Sequence, residues 1–259
     1  MLHKWTLIIS LLLLAVTPAF AQESEPQTVT VADFSFPLDL TFAANVNITQ
    51  YPGDSPEFGP GFADAPHVRF DFYTELGLPD TAFDSIAGVR LYNVAELADY
   101  PWLAMQADAL KALIAERPDL SQWDRRDETG AYFDVLPYIP TLPHGQILRA
   151  RLHYVESADV SGIAYITYSN ASPEPFLANM FTYTFQGVSA DGEWYISASF
   201  PITAPMFPTE PEPVEPDVFY GQWPQYVTET IAALEQAAPS DFAPSLAALD
   251  TFVGTFNFE

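Results

Sequence analysis

The strongest constraint on the fold is a pair of alternating runs joined by a turn. Met180–Gln186 and Trp194–Ile202 flank Ser189-Ala190-Asp191-Gly192, the pattern of a β-hairpin. Side chains alternate along a strand, so Phe181, Tyr183 and Phe185 share one face of the first arm. Trp194, Ile196, Ala198, Phe200 and Ile202 point the same way from the second. A hairpin with one greasy face must extend into a larger sheet and be covered on that side.

Other segments supply the sheet. His67–Glu75 alternates, with Val68, Phe70 and Phe72 opposite His67, Arg69, Asp71 and Tyr73. Gln146–Val155 sets Leu148, Ala150, Leu152 and Tyr154 inward and Arg149, Arg151 and His153 outward. Ile163–Tyr168 is apolar or aromatic on both faces, as a central strand would be. Val29–Phe36, Phe42–Gln50 and Gly88–Tyr92 read as further strands, and Gly77-Leu78-Pro79-Asp80 as a turn.

Helical spacing appears in three places. Asn93 and Glu96 have the spacing of a capping box, and Pro101 suits a first helical turn. Leu103, Ala107, Leu110 and Ile114 then mark one face of a helix predicted over 101–116, which Pro118 ends. Val227, Ile231 and Leu234 mark a second helix, and Leu246, Leu249 and Val253 a third. Runs of strands with helices set apart predict an α+β fold: mostly antiparallel sheet with two to three packed helices, in a single-domain sandwich. That domain is expected to span 22–259, with a Pro/Glu-rich loop at 205–217 holding five prolines and four acids.

Residues 1–21 stand apart. Lys4 precedes the apolar run Leu7 to Val16, and Ala19-Phe20-Ala21 closes the segment. A basic end, a short apolar core and small residues at −3 and −1 form a secretory signal peptide, cleaved between Ala21 and Gln22. The run is too short to span a bilayer as a helix, so no membrane insertion is expected after cleavage. The expected location is secreted, periplasmic or at the cell envelope. Export without a single cysteine suits a bacterial protein better than a small disulfide-built module.

Charge and missing motifs narrow the function. The chain carries 34 acids against 9 bases, for a net charge of −25. Such a surface repels nucleic-acid phosphates and anionic lipid, so neither is an expected partner. There is no D-x-[DN]-x-[DN]-G calcium loop, G-x-S-x-G elbow, H-E-x-x-H pair, P-loop or G-x-G-x-x-G turn. No cofactor or metal is therefore expected, and no catalytic residue is assigned. Two classes stay open: a non-enzymatic exported binding or interaction protein whose partner is unknown, and a hydrolase of glycosidase type using dispersed carboxylates.

One polar face invites a ligand. Arg149, Arg151 and His153 alternate outward on one strand, and the hairpin offers Thr182, Thr184, Gln186, Tyr195, Ser197 and Ser199. Arginine forks beside hydroxyls suit an anionic or hydroxylated ligand. The candidate ligand-binding residues are Arg149, Arg151, His153 and Tyr195.

The stretch from Phe181 to Ala198, with Tyr183-Thr184-Phe185-Gln186-Gly187, the Asp191-Gly192 turn and Tyr195-Ile196-Ser197-Ala198, resembles a segment of uncharacterised exported bacterial proteins. The likeness covers roughly residues 145–259 and implies no activity, since none is assigned to that group. The opening Phe34-Ser35-Phe36-Pro37 is similar to the start of PsbP-like α+β sandwiches, which implies fold only.

Overall fold

A computed structural model describes residues 27–38, 43, 45–73 and 88–258. The predicted signal segment with its Ala21/Gln22 junction, and the turn at Gly77–Asp80, lie outside the described residues. The fold is α+β, a sandwich of two antiparallel sheets with three helices. The strands are β1 (Thr28–Val31), β2 (Phe34–Pro37), β3 (Asn45–Tyr51), β4 (His67–Tyr73), β5 (Gly88–Asn93), β6 (Gln146–Glu156), β7 (Val160–Ser169), β8 (Phe181–Ser189), β9 (Trp194–Ile202) and β10 (Asn257–Phe258). Seven form one sheet, in the order β3-β4-β5-β9-β8-β7-β6, and β1-β2-β10 form the other. The helices are α1 (Pro101–Glu116), α2 (Pro216–Gln236) and α3 (Leu246–Val253).

The apolar alternation divides the large sheet into two faces. Phe70, Phe72, Val89, Phe185, Ala198 and Phe200 point to one side, where the small sheet, α2 and α3 close over them. Phe36 of β2 lies 5.4 Å from Phe70 and 5.4 Å from Phe252 of α3, ring centre to ring centre, both edge-on. Edge-to-face rings at this spacing add to the burial of aromatic area. The opposite face takes α1, through Leu103, Ala107 and Leu110, together with Leu120, Leu136 and Ile139 of the irregular stretch that follows.

Local chemistry explains the helix ends. Pro101 and Pro216 occupy first turns, where a missing N–H costs nothing. Asn93 caps no helix; its side chain accepts from the Ala95 N–H at 2.9 Å and shapes a turn before α1. The predicted loop at 205–217 is irregular only to Glu215, because Pro216 already begins α2. The expected strand Val29–Phe36 is folded at Ala32 and Asp33 into the β1–β2 pair.

The predicted facing of β6 needs correction. Its pairing steps from Ala150↔Ile166 to His153↔Ala164, three residues against two, with Arg151 in left-handed backbone at φ 59°. An extra residue of this kind is a β-bulge, and it reverses the facing of everything beyond it. Leu148 and Ala150 join the phenylalanine-rich core, whereas Leu152 and Tyr154 pack on the α1 side.

Candidate functional site

The bulge separates the three cations that alternation had placed together. Arg149 faces the α1 side and is buried. Its Nη1 donates to the carbonyls of Asp134 at 2.8 Å and Trp123 at 3.3 Å, and its Nε to Gln146 Oε1 at 2.9 Å. The guanidinium lies 4.1 Å from the centre of the Tyr132 ring. Burial lowers its pKa, and its contacts tie the 123–134 stretch to the sheet.

Arg151 and His153 face the other way. Arg151 Nη1 donates to the carbonyls of Leu234, Glu235 and Ala237, where the end of α2 presents unpaired acceptors and partial negative charge. The Glu235 carboxylate accepts from the Arg151 backbone N–H. His153 Nδ1 donates to the Arg151 carbonyl at 2.7 Å, and Nε2 lies 3.1 Å from Asp250 Oδ1. The Tyr183 hydroxyl donates to the same oxygen at 2.9 Å. Burial is the largest single influence on His153 and works against protonation, but the bond to Asp250, the bond to the Arg151 carbonyl and the Asp250 charge together outweigh it and raise the pKa. Tyr195 is fully buried under α1, donating to Gln186 Oε1 at 2.6 Å. The four expected residues therefore occupy three separate environments.

The face beneath α1 does collect the predicted hydroxyls. Thr184, Gln186, Ser197 and Ser199 are all buried there. Most of their hydrogen bonds are internal: Gln186 Nε2 donates to Thr184 Oγ1 and Ser197 Oγ, and its Oε1 also accepts from Ile139 N. The irregular stretch is pinned over this face. Besides Ile139, the Tyr138 N–H donates to Gln106 of α1, and Thr141 Oγ1 accepts from Gly61 N at 3.0 Å.

One side chain on this face has a buried donor without such a partner. Arg90 lies in the middle of β5, opposite Arg69 on β4 and Ser197 on β9. Like charges across a ladder repel, and Arg69 is neutralised by Asp71 at 2.5 Å. Among the described residues Arg90 Nε is buried without a hydrogen-bond partner, while the Arg90 charge acts on the buried Asp64 carboxyl and opposes the rise in its pKa. Among the described residues four buried side-chain atoms lack a partner: Arg90 Nε, Ser169 Oγ, Trp102 Nε1 and Arg126 Nη1. The first two belong to residues lining one cavity of about 270 Å³. Thr167, Thr182, Ser199 and Tyr138 add hydroxyls to it, and among the described residues no Asp or Glu lines it. A buried donor without a partner is expensive, so a guanidinium left this way suits an acceptor-bearing ligand.

A second chamber of about 450 Å³ adjoins it, sharing Tyr138, Leu142 and His144. Val135, Leu136, Leu142 and Pro143 make much of its wall, and Val135 is 77 % exposed. Alternation marked Gly88–Tyr92 as a strand, and it also places Arg90 opposite Val89 and Leu91. The missing information was which strands flank it.

On the far side of Arg90 lies a group of buried titratable side chains. The Tyr92 hydroxyl donates to Asp64 Oδ2 at 3.1 Å, and His67 Nδ1 to the Ala65 carbonyl at 2.8 Å. Burial raises the Asp64 pKa to about 6 and lowers that of His67 to about 4. Asp54 Oδ2 accepts from Asp64 N, and the Tyr100 hydroxyl donates to the Asp54 carbonyl at 2.6 Å. These bonds hold the 52–66 loop to the sheet. None of these residues lines the cavities described above.

Among the described residues no group of three or more His, Asp or Glu side chains could hold a metal ion, and no helix is long and apolar enough to cross a membrane. No family model, curated protein or solved structure matches the chain.

Proposed function

We propose that this chain is an exported, non-enzymatic binding protein of the bacterial cell envelope or medium, taking a small anionic ligand into the Arg90 cavity. The observation that carries the reading is the buried Arg90 Nε without a hydrogen-bond partner, in a cavity lined by hydroxyls and, among the described residues, by no carboxylate, on a chain of net charge −25. The signal-like segment at 1–21 and the resemblance of 145–259 to exported proteins support the location.

The hydrolase alternative needs two carboxyl groups facing each other across a cleft. Asp134 lines the larger chamber alone, while Glu235 and Asp250 line a third cavity and are held by Arg151 and by His153 with Tyr183. That arrangement favours binding over hydrolysis. The test is thermal stabilisation of wild type and Arg90→Gln by a panel of hydroxy acids, sulfate and phosphate. Stabilisation of the wild type that weakens with salt and is lost in Arg90→Gln is expected. Equal responses from both proteins would refute the reading.

A further inference from the structure

Resting on that reading, we infer that the ligand is an amphipathic carboxylic acid, with its head on Arg90 and its apolar body in the adjoining chamber. The two spaces share Tyr138, Leu142 and His144 in their walls, and the inferred ligand passes from one to the other beside these side chains. Both are largely apolar, and they differ in the charge they offer. The smaller sets Arg90 and hydroxyls beside Pro140, Leu142 and Met180, whereas the larger sets Val135, Leu136, Leu142, Pro143 and the Tyr132 side chain beside Asp134 and Arg149.

Electrostatics fixes the orientation. The guanidinium that lines the larger chamber, Arg149, already has its Nε and Nη1 committed to Gln146, Asp134 and Trp123, and Asp134 lines the same chamber. A carboxylate placed there meets a carboxylate and a committed arginine. Placed in the smaller space, it meets Arg90, whose buried Nε has no hydrogen-bond partner among the described residues. Arginine presents two parallel N–H groups, which match the two oxygens of a carboxylate. The smaller space alone, about 270 Å³, lies just below the usual range for ligand pockets, and the two together fall within it. Apolar side chains exposed at a chamber's rim are the pattern of a surface that meets an apolar partner.

The experiment is calorimetric titration of purified protein with acetate, butyrate, hexanoate and octanoate, each below its aggregation limit, with hexan-1-ol as the uncharged control. Affinity is expected to rise about fourfold per added methylene as the tail fills the chamber. Arg90→Gln is expected to weaken hexanoate at least about tenfold. Gly145→Leu adds bulk to the chamber at a position where a new Cβ meets no atom within 4 Å, and should pull octanoate down toward acetate. Short acids that bind through Arg90 with no gain from length would overturn the amphipathic ligand and leave the anion site standing. Hexan-1-ol binding as well as hexanoate would overturn the role of the head. No binding at any length would overturn both readings.

Discussion

On one face of the seven-stranded sheet, Phe70, Phe72, Phe185 and Phe200 meet Phe34, Phe36, Phe252 and Phe256 in a core of rings. On the other, the same strands present Arg90, Thr182, Thr184, Gln186, Ser197 and Ser199 to α1 and the 118–145 stretch. The ring-filled face can stabilise the fold wherever its side chains fit. The polar face is useful to stability only where each group finds a partner. Most do, and two of the four exceptions among the described residues, Arg90 Nε and Ser169 Oγ, belong to residues that line a single cavity. The difference separates the part of the molecule that holds it together from the part where polar groups are left without partners.

The sharpest way to break this comparison is to damage the ring-filled face. Phe36→Ala removes a ring that contacts Phe34, Phe70, Phe72, Phe252 and Phe256. The expected loss is about 3–5 kcal/mol, a fall in melting temperature on the order of 10 °C. A fall of only a degree or two in a thermal melt would mean that the face is not the main source of stability.

Two arginines on the polar face give the next effect, with opposite signs. Arg149→Met strips donors from Asp134, Trp123 and Gln146 and should cost about 3 kcal/mol by urea unfolding. Arg90→Met removes a guanidinium whose buried Nε has no hydrogen-bond partner, so the relief of that atom offsets the lost attraction to Asp64, and the protein should be unchanged or more stable by about 1 kcal/mol. Equal losses from both would show that Arg90 is a structural group like Arg149.

The smallest effect concerns the clamp between β6 and α3. His153 has its pKa raised by Asp250 against the opposing charge of Arg151, with Glu235 lining the same cavity. A raised folded pKa stabilises fully below the ordinary histidine value, and that contribution disappears as pH rises through the folded pKa. Both partners are more than a third exposed, so the effect is roughly 0.2–1 kcal/mol. His153→Gln should lose this increment below pH 6 and match the wild type's slope above pH 8. An unchanged pH profile in the variant would remove the clamp from the account.

The sequence was most readable where local pattern and tertiary packing agree. The β8–β9 hairpin follows from its alternation and Asp191-Gly192 turn, and α1 from Pro101 and the spacing of Leu103, Ala107 and Leu110. The first residues of α2 were hidden because Pro216 and Asp217 look like connector, although proline is at home in a first helical turn. The bulge at Arg151 had no local mark. No glycine or asparagine signals left-handed backbone there, and the turn is stabilised by the α2 carbonyls 83 to 86 positions along the chain. The candidate site was half visible. Of the hydroxyls lining the cavity, Thr182 and Ser199 stood on the hairpin face marked by alternation, whereas Thr167, Ser169 and Tyr138 did not, and Arg90 gained meaning only once β4 and β9 were known to flank it and Asp71 to neutralise Arg69.

The proposed division of labour, with Arg90 meeting a ligand and Arg149 committed to the protein's own carbonyls, has a direct spectroscopic test. In a ¹⁵N-labelled sample the arginine Nε–H signals of Arg90 and Arg149 can be assigned with Arg90→Gln and Arg149→Lys and followed as hexanoate is added. The account predicts a saturable shift of the Arg90 signal with that of Arg149 unmoved. A shift at Arg149 with Arg90 silent, or no shift at either, would contradict it.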